Sequence, residues 1–248
     1  MVDSMQVYRE IPTITNQRRQ RPAEMVGVAS VLDEWTVARH RDMSLGILAG
    51  IDIPFVLDAG TGMYLNALLL EIELSPKVEP HIRAVAESLS QGDVNPRRAS
   101  RERELRLAGA PERSSIWDAN LRYETTLIYI RPDRESLDKN IQRRANHIIQ
   151  NAIAESETIA ALISRGATLS PQVSGAIGVK EMLDLVAGSL TGAEAESRIA
   201  ARTRRLARRQ IRWFDKLTRT ISDRAAVEVV SHSSDAETMH TLHDTIGS

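Results

Sequence analysis

The sequence predicts an α/β protein with a parallel sheet and a large helical part. Two observations support this fold class. Residues 53–72 contain an apolar run, a glycine-rich turn and a helical pattern in that order, which is typical of a parallel α/β unit. Residues 126–130 form a second apolar run, and long stretches with helical periodicity follow it.

The composition is typical of a globular protein. The 248 residues are enough for one large domain or for a core with a smaller lobe, and 42% of them are apolar and 26% charged. Because no apolar run approaches the ~18 residues of a membrane span, we expect neither a membrane helix nor a signal peptide. The sequence has no cysteine, which excludes disulfides and thiol catalysis and agrees with a reducing cytoplasm.

The first half of the chain reads as short strands that alternate with helices. Strands are predicted at 1–4, weakly from Gly27, and at 53–57. Helices are predicted from about Asp33, over 63–72, after Pro76 and over 97–108. The last of these helices follows Asn95-Pro96, which supplies an N-cap and a proline at the first helical position.

The second half is mostly helical. After the strand at 126–130, Asp133 is placed to cap a long helix over 134–164, and helices over 178–187 and 193–220 follow. The buried face of the long helix is predicted to consist of Leu137, Ile141, Ile148, Ile149, Ile153 and Ile159. We divide the chain into an α/β core at 1–132 with a short helical insertion at about 75–110, a helical part at 133–222 and an acidic, mobile tail at 223–248.

The net charge of −1 hides a strong local separation of charge. Between residues 198 and 219 there are eight arginines and one lysine against a single acid. Five of these arginines recur at steps of three and four, so they share one helix face: Arg198, Arg202, Arg205, Arg209 and Arg212. Two interpretations stay open, namely a solvated face paired with acids of other helices and a surface that follows a phosphate backbone. A second, weaker basic helix lies at 97–106.

The glycine-rich turn at 58–64 is the main candidate for ligand binding. Such a turn brings backbone N–H groups and the Thr61 hydroxyl close to a ligand, although a plain tight turn is the commoner explanation. The sequence contains no Gly-x-x-x-x-Gly-Lys-Ser/Thr motif. Its six histidines are scattered, so we expect no metal site that is built from side chains alone.

Four segments together resemble the tRNA dimethylallyltransferase family, and they occur in the family's order. Residues 2–9, Val-Asp-Ser-Met-Gln-Val-Tyr-Arg, resemble its segment Ala-Asp-Ser-x-Gln-Val-Tyr-Arg. Residues 54–64 resemble its Pro-x-x-Val-Gly-Gly-Thr-Gly-x-Tyr loop, and residues 175–181 resemble its Ala-Ile-Gly-Tyr-Arg/Lys-Glu turn. Residues 203–214, TRRLARRQIRWF, are similar to its closing basic helix. The resemblance implies a P-loop-transferase-like parallel sheet core with appended helices.

The resemblance also implies a reaction and its site. In this family the N6 amino group of an adenine beside the tRNA anticodon attacks dimethylallyl diphosphate, and diphosphate leaves. Asp3 is then the expected base and Thr61 its neighbour at the adenine, Gly60 and Gly62 shape the loop, and Arg144 lies at the diphosphate. The expected tRNA contacts are Ser4, Met5, Gln6, Arg97, Arg98, Arg101, Lys180, Arg208, Arg209, Gln210, Arg212 and Trp213. Mg²⁺ is expected with the diphosphate, and we expect a cytoplasmic monomer without membrane association.

The sequence departs from the family pattern in several places. The family's first strand and P-loop, a unit of roughly 30 residues, would precede Met1. Ala59 stands where the family has a loop glycine, Asn140 where it has an arginine, and Val179 where it has a tyrosine. The insertion that grips the anticodon stem in the family is short in this sequence. Two explanations are open: a start codon placed too far downstream, or a truncated or degenerate paralog that binds RNA without catalysis. An enzyme that prenylates free adenylates fits less well, because it has little use for the basic helix.

Overall fold

The structure is a computed structural model. It describes residues 1–75, 78–94, 96–110 and 115–232, without the side chains of residues 97, 98, 231 and 232. The backbone contacts divide the chain into two units, one formed by Met1–Leu69 with Leu121–Ser248 and the other by Leu70–Asn120. The part of the predicted mobile tail from residue 233 onward lies outside the described residues.

The described part of the chain is mostly helical. Its helices are α1 (Pro12–Thr15), α2 (Val37–Leu48), α3 (Gly62–Leu69), α4 (Pro80–Leu89), α5 (Pro96–Leu107), α6 (Arg134–Asn151), α7 (Ile153–Ser164), α8 (Pro171–Ser174), α9 (Val179–Val186) and α10 (Gly192–Ile221). Its strands are β1 (Thr126–Pro132) and β2 (Ala226–His232). Within these residues, no helix is both long and apolar enough to cross a membrane.

Side-chain caps fix where the long helices begin. Asp133 accepts a hydrogen bond from the backbone N–H of Ser136 (2.9 Å), which confirms its predicted role at the start of α6. Thr191 and Glu194 form a reciprocal capping box at the start of α10. Local polar residues therefore satisfy backbone donors that the first helical turn leaves free.

The prediction of a single helix over 134–164 is wrong, because α6 ends at Asn151 and α7 begins at Ile153. At this point the Asn151 side chain donates to the His147 carbonyl (2.9 Å), and Ser156 donates to the Ala152 carbonyl (2.7 Å). Side-chain bonds of this kind compete with the helical ladder and bend helices. Hydrophobic periodicity does not record this competition.

The strands β1 and β2 form a parallel pair in which Thr126 lies opposite Ala226 and Pro132 lies opposite His232. The strand predicted at 126–130 is thus confirmed, as is the parallel α/β class. The sequence did not predict β2, because its alternating apolar and polar residues run directly into the polar tail.

The apolar run at 53–57 is not a strand. Ala59, two residues beyond this run, forms an isolated parallel bridge to Val2, and another isolated bridge joins Tyr8 to Ala29. Ile53 and Val56 are 72% and 76% exposed. Within the described residues, no neighbouring strand gives this run the ladder of hydrogen bonds that a stable sheet requires.

The core of the first unit joins the N-terminal segment to α6, α7, α9 and α10. Its fully buried side chains include Tyr8, Trp35, Ile159, Met182 and Ile199. Burial of this apolar surface is the main favourable contribution to folding. Most of the buried face predicted over 134–164 is confirmed, but Ile153 is 38% exposed, since it follows the break between α6 and α7.

In the second unit, α4 packs against α5, and the described arginine side chains of α5 pair with acids. Glu104 is only 5% exposed and pairs with both Arg83 and Arg101. Arg103 pairs with Asp93, and Arg106 pairs with Glu102. Each described arginine side chain of α5 therefore has an acidic partner within its own unit.

A buried histidine should make the stability of the protein depend on pH. Trp35 donates its indole N–H to Nδ1 of His40 (3.3 Å), and the Tyr64 ring centroid lies 5.0 Å from that of the imidazole. Burial lowers the pKa of His40 from its ordinary 6.5 to about 4. Between pH 6.5 and about 4, the unfolded chain therefore binds a proton at this histidine and the folded protein does not. Lowering the pH across this range favours unfolding.

Between pH 7 and pH 4 we expect the free energy of unfolding to fall by about 3 kcal/mol more in the wild type than in His40→Phe. Urea denaturation at steps across this range measures the difference. The carboxylates titrate in both proteins, so the comparison isolates the imidazole. Equal pH dependence in the two proteins would contradict the assignment.

Candidate functional site

Two loops of the first unit meet at the candidate site. The first loop is residues 2–6, and the second is residues 58–62, which lead into α3. The N–H of Val2 donates to the carbonyl of Asp58 (2.8 Å), and the N–H groups of Gly60 and Thr61 donate to the carbonyl of Val2 (3.2 and 3.3 Å). These backbone bonds fix the two loops side by side, and both predicted catalytic residues lie on them.

The predicted catalytic residues, Asp3 and Thr61, are in direct contact. The Thr61 hydroxyl donates to Oδ2 of Asp3 (3.2 Å) and accepts from the N–H of Ser4 (3.1 Å). The other carboxylate oxygen, Oδ1, accepts from the N–H groups of Met5 (2.8 Å) and Gln6 (3.1 Å). A carboxylate held by three donors keeps acceptor capacity in a fixed direction, so this group can receive a proton from a ligand.

The position of the Asp3 carboxylate requires a glycine at position 60. A Cβ atom on Gly60 would lie 2.6 Å from Oδ2 of Asp3, which is well inside van der Waals contact. On its other side, the Gly60 carbonyl accepts a hydrogen bond from Nε2 of Gln210 (2.6 Å). Gly60 therefore lies between the carboxylate and α10.

A tryptophan of α10 packs on the next glycine of the same loop. The Trp213 ring lies so close to Gly62 that an added Cβ would be 2.1 Å from its Cδ1 atom. The indole N–H donates to Oδ1 of Asn66 (3.2 Å), a fully buried residue of α3. The side chains of Gln210 and Trp213, which the sequence predicted as tRNA contacts, are thus turned toward the loop, and contact with tRNA stays a prediction for both.

The arginines of α10 divide into a paired group and an open group. Arg202 pairs with Glu181 (2.7 Å) and donates to the carbonyl of Gly175 (2.7 Å), and Arg204 pairs with Asp138 (3.0 Å). For Arg202 and Arg204, the interpretation of a face that is paired with acids of other helices is therefore correct. Six exposed arginines of α10 have no ion pair among the described residues: Arg198, Arg205, Arg208, Arg209, Arg212 and Arg219. Four of them lie together on one helix face between residues 205 and 212, and we call them the open arginine face: Arg205, Arg208, Arg209 and Arg212.

The open arginine face has an electrostatic cost in the free protein. Like charges three or four residues apart on a helix repel by a few tenths of a kcal/mol per pair. An anionic ligand removes this repulsion and gains from all four charges together. The arrangement therefore favours a ligand with several phosphates in a row over a single small anion.

Other predicted site residues have partners away from the two loops. Arg144 donates to the carbonyls of Thr13 and Ile14 in α1, and burial lowers the pKa of its guanidinium. Lys180 pairs with Asp184 (2.8 Å) on α9. Arg101 pairs with Glu104 in the second unit, and the side chains of residues 97 and 98 lie outside the described part.

Two residues at the site were missed by sequence reasoning. Arg19 donates to Oδ2 of Asp58 (2.7 Å) and to the side-chain oxygen of Gln6 (2.6 Å), so it ties the two loops together. Asn66 receives the Trp213 indole N–H. Neither residue stands in a motif, and Arg19 lies in an arginine-rich stretch without clear periodicity, so no local signal points to them.

Comparison with known proteins places the chain among prenyl-transferring enzymes. A family model described as IPP transferase matches residues 6–217. A tRNA dimethylallyltransferase of Rubrobacter xylanophilus is 51% identical over 251 residues, an alignment that covers 100% of this chain and 86% of the relative. A tRNA dimethylallyltransferase of Streptococcus pyogenes serotype M2 is 28% identical over 239 residues, with 86% of this chain and 77% of the relative aligned.

Two solved structures have a similar fold. The tRNA isopentenylpyrophosphate transferase of Bacillus halodurans matches with a TM-score of 0.66 at 24% identity, covering 99% of this chain and 86% of that one. The tRNA isopentenylpyrophosphate transferase of Staphylococcus epidermidis matches with a TM-score of 0.66 at 20% identity, covering 99% and 89%. These likenesses confirm the predicted P-loop-transferase-like α/β fold with appended helices.

The packing of Trp213 on Gly62 can be tested through stability. We expect Gly62→Ala to lower the free energy of unfolding by about 1–3 kcal/mol, because the added methyl group forces the ring to move. Gly46→Ala is a matched control, since Gly46 lies in α2 with nothing within 4 Å of an added Cβ. That substitution should stabilise the protein by up to about 1 kcal/mol. Urea denaturation measures both, and equal stability of the two variants would contradict the packing.

Proposed function

Because this chain belongs to the IPP transferase family, we propose that it transfers a dimethylallyl group from dimethylallyl diphosphate to N6 of an adenine next to the tRNA anticodon. The observation that carries the proposal is the contact between Asp3 and Thr61 on loops that pack directly against α10, whose open arginine face suits an RNA backbone. The 51% identity to a tRNA dimethylallyltransferase over the whole chain supports the same activity.

The chemistry of the transfer assigns a role to Asp3. The adenine N6 attacks the allylic carbon, a C–N bond forms, the C–O bond to the diphosphate breaks, and the leaving group carries away the electron pair. The attacking nitrogen must then lose a proton, which the free lone pairs of the Asp3 carboxylate can accept. The hydrogen bond from Thr61 (3.2 Å) keeps that carboxylate in one orientation while the adenine approaches.

The open arginine face is the proposed binding surface for tRNA. An adenine in the anticodon loop must leave the base stack before a carboxylate can reach its amino group. That rearrangement needs several contacts to the flanking phosphates, and Arg205, Arg208, Arg209 and Arg212 are available for them. Their position on the helix that also contacts Gly60 brings the RNA backbone close to Asp3. A tRNA substrate also supports a location in the cytoplasm.

A diphosphate substrate makes Mg²⁺ the expected cofactor. Within the described residues there is no group of three acidic or histidine side chains that could hold a metal ion. Mg²⁺ usually takes one or two carboxylates and fills its other positions with phosphate oxygens and water. Such an ion would be held mainly by the diphosphate of the substrate, because Asp58 pairs with Arg19 and Asp3 is the proposed proton acceptor. Arg144 and Lys180 are not part of this proposal, because Arg144 donates to backbone carbonyls of α1 and Lys180 pairs with Asp184 of its own helix.

The activity is tested directly with unmodified tRNA and dimethylallyl diphosphate. The expected result is a tRNA adenine that carries one dimethylallyl group, identified by mass spectrometry of the digested nucleosides. Firm tRNA binding without any transfer would instead favour the alternative of an RNA-binding protein without catalysis.

We expect the double variant Arg205→Ala/Arg209→Ala to bind tRNA more weakly and with a flatter salt dependence. Each phosphate contact contributes roughly 0.7–0.9 to the slope of log K against log salt, so the slope should fall by up to about 2. The control is Arg134→Ala/Arg165→Ala, which removes the same charge from exposed positions on α6 and beyond α7. Binding titrations at several salt concentrations measure both variants. If the two double variants behave alike, the open arginine face is not the binding surface.

We expect Asp3→Asn to lower turnover by ~10²-fold or more, the size associated with the loss of a general base, while tRNA affinity stays near that of the wild type. Asp52→Asn is the control, since Asp52 is exposed. Steady-state prenylation and tRNA binding are measured on all three proteins. Unchanged turnover in Asp3→Asn would remove this carboxylate from the mechanism.

A further inference from the structure

We propose that Gln210 and Trp213 are positioning residues that couple tRNA binding on α10 to the placement of Thr61 against Asp3. This inference rests on the proposed function and deepens it. Both residues stand on the helix that carries the open arginine face, and both contact the loop that carries Thr61. The helix thereby connects an RNA-binding surface to the residues that contact the reacting atoms.

The first connection passes through Gly60. Gln210 donates to its carbonyl over 2.6 Å, and the opposite side of the same residue faces the Asp3 carboxylate. The peptide unit that Gln210 holds leads directly to the backbone N–H of Thr61, which bonds to Val2. A displacement of Gln210 therefore changes where the Thr61 hydroxyl lies relative to Oδ2 of Asp3.

The second connection passes through Gly62. The Trp213 ring covers this glycine closely, and its indole N–H donates to the buried Asn66 one turn further along α3. Gln210 and Trp213 are three residues apart, so they lie one above the other on the same helix face. Between them they hold the residues on both sides of Thr61.

The helix itself can transmit a small movement. It is 30 residues long and anchored by fully buried side chains near both ends, Ile199 toward one end and Leu217 and Ile221 toward the other. Arg209 and Arg212 are the direct sequence neighbours of Gln210 and Trp213, so phosphates bound to the open arginine face contact the same two turns. A misplacement of about 1 Å at a reacting group can slow catalysis ~10²-fold, so a small shift of these turns is enough to matter.

The proposal is tested with Gln210→Ala and Trp213→Phe, and with Gln150→Ala as the matched control. Gln150 is an exposed glutamine of α6, whereas Trp213→Phe keeps an aromatic side chain at this position but makes it smaller and removes the indole N–H. Three quantities are measured: the single-turnover prenylation rate at saturating tRNA, the Kd for tRNA, and hydrogen exchange of the amides in residues 58–62 with and without tRNA.

Gln210→Ala should lower the single-turnover rate about 10-fold or more, with an unchanged Kd for tRNA. Trp213→Phe should have a smaller effect in the same direction, and Gln150→Ala should have none. In the wild type, tRNA should slow hydrogen exchange at 58–62. In Gln210→Ala this exchange should be faster, and tRNA should no longer slow it. This pattern separates positioning from a loss of RNA contacts, which would raise the Kd.

Two results would overturn the proposal. One is a Gln210→Ala variant that loses tRNA affinity but keeps its rate at saturating tRNA, since Gln210 would then be a simple RNA contact. The other is a variant whose rate and loop exchange match those of Gln150→Ala. The exchange measurement needs no catalysis. A wild type that binds tRNA without prenylating it would therefore refute the proposed function, while the exchange data would still decide whether α10 controls the loop.

Discussion

The loop that carries Thr61 can approach Asp3 because position 60 has no side chain. A Cβ there would lie 2.6 Å from the carboxylate, so any other residue would displace the Asp3 side chain and disturb its hydrogen bond with the Thr61 hydroxyl. The carbonyl of the same residue accepts a hydrogen bond from the side chain of Gln210, 150 residues further along the chain. Three segments that are remote in sequence thus contact one another at Gly60. The positions of the Asp3 carboxylate and the Thr61 hydroxyl depend on these contacts.

Sequence patterns predicted the features that depend on nearby residues. The strand β1, the cap at Asp133 and the amphipathic α10 all follow from local signals. The strand expected at 53–57 is absent because strand formation needs a partner, and periodicity does not supply one. The pairing of Asp3 with Thr61 was accessible through the family resemblance. The contact of Gln210 with Gly60 spans 150 residues, so no local pattern could indicate it.

The two basic helices show why a count of arginines is a poor guide to function. In α5 the described arginine side chains, Arg101, Arg103 and Arg106, pair with acids of the same unit, so these three charges are compensated internally. In α10, Arg202 and Arg204 pair with Glu181 and Asp138, whereas the open arginine face has no acidic partner among the described residues. Exposed ion pairs add little stability, so what distinguishes the described arginines of the two helices is the charge that remains available to an outside ligand.

The parallel pairing of β1 with β2 also has a consequence for how the chain folds. Thr126 pairs with Ala226, so about 100 residues must be synthesised after β1 before its partner exists, which takes a ribosome roughly 5–20 s. Helices α6 to α10 form from local contacts and can assemble during that time, whereas pairing of distant strands is slow. Pairing of β2 with β1 is therefore a late step of folding. A chain arrested before Ala226 would carry most of the catalytic and basic residues and still expose an edge of β1 to other unfinished chains.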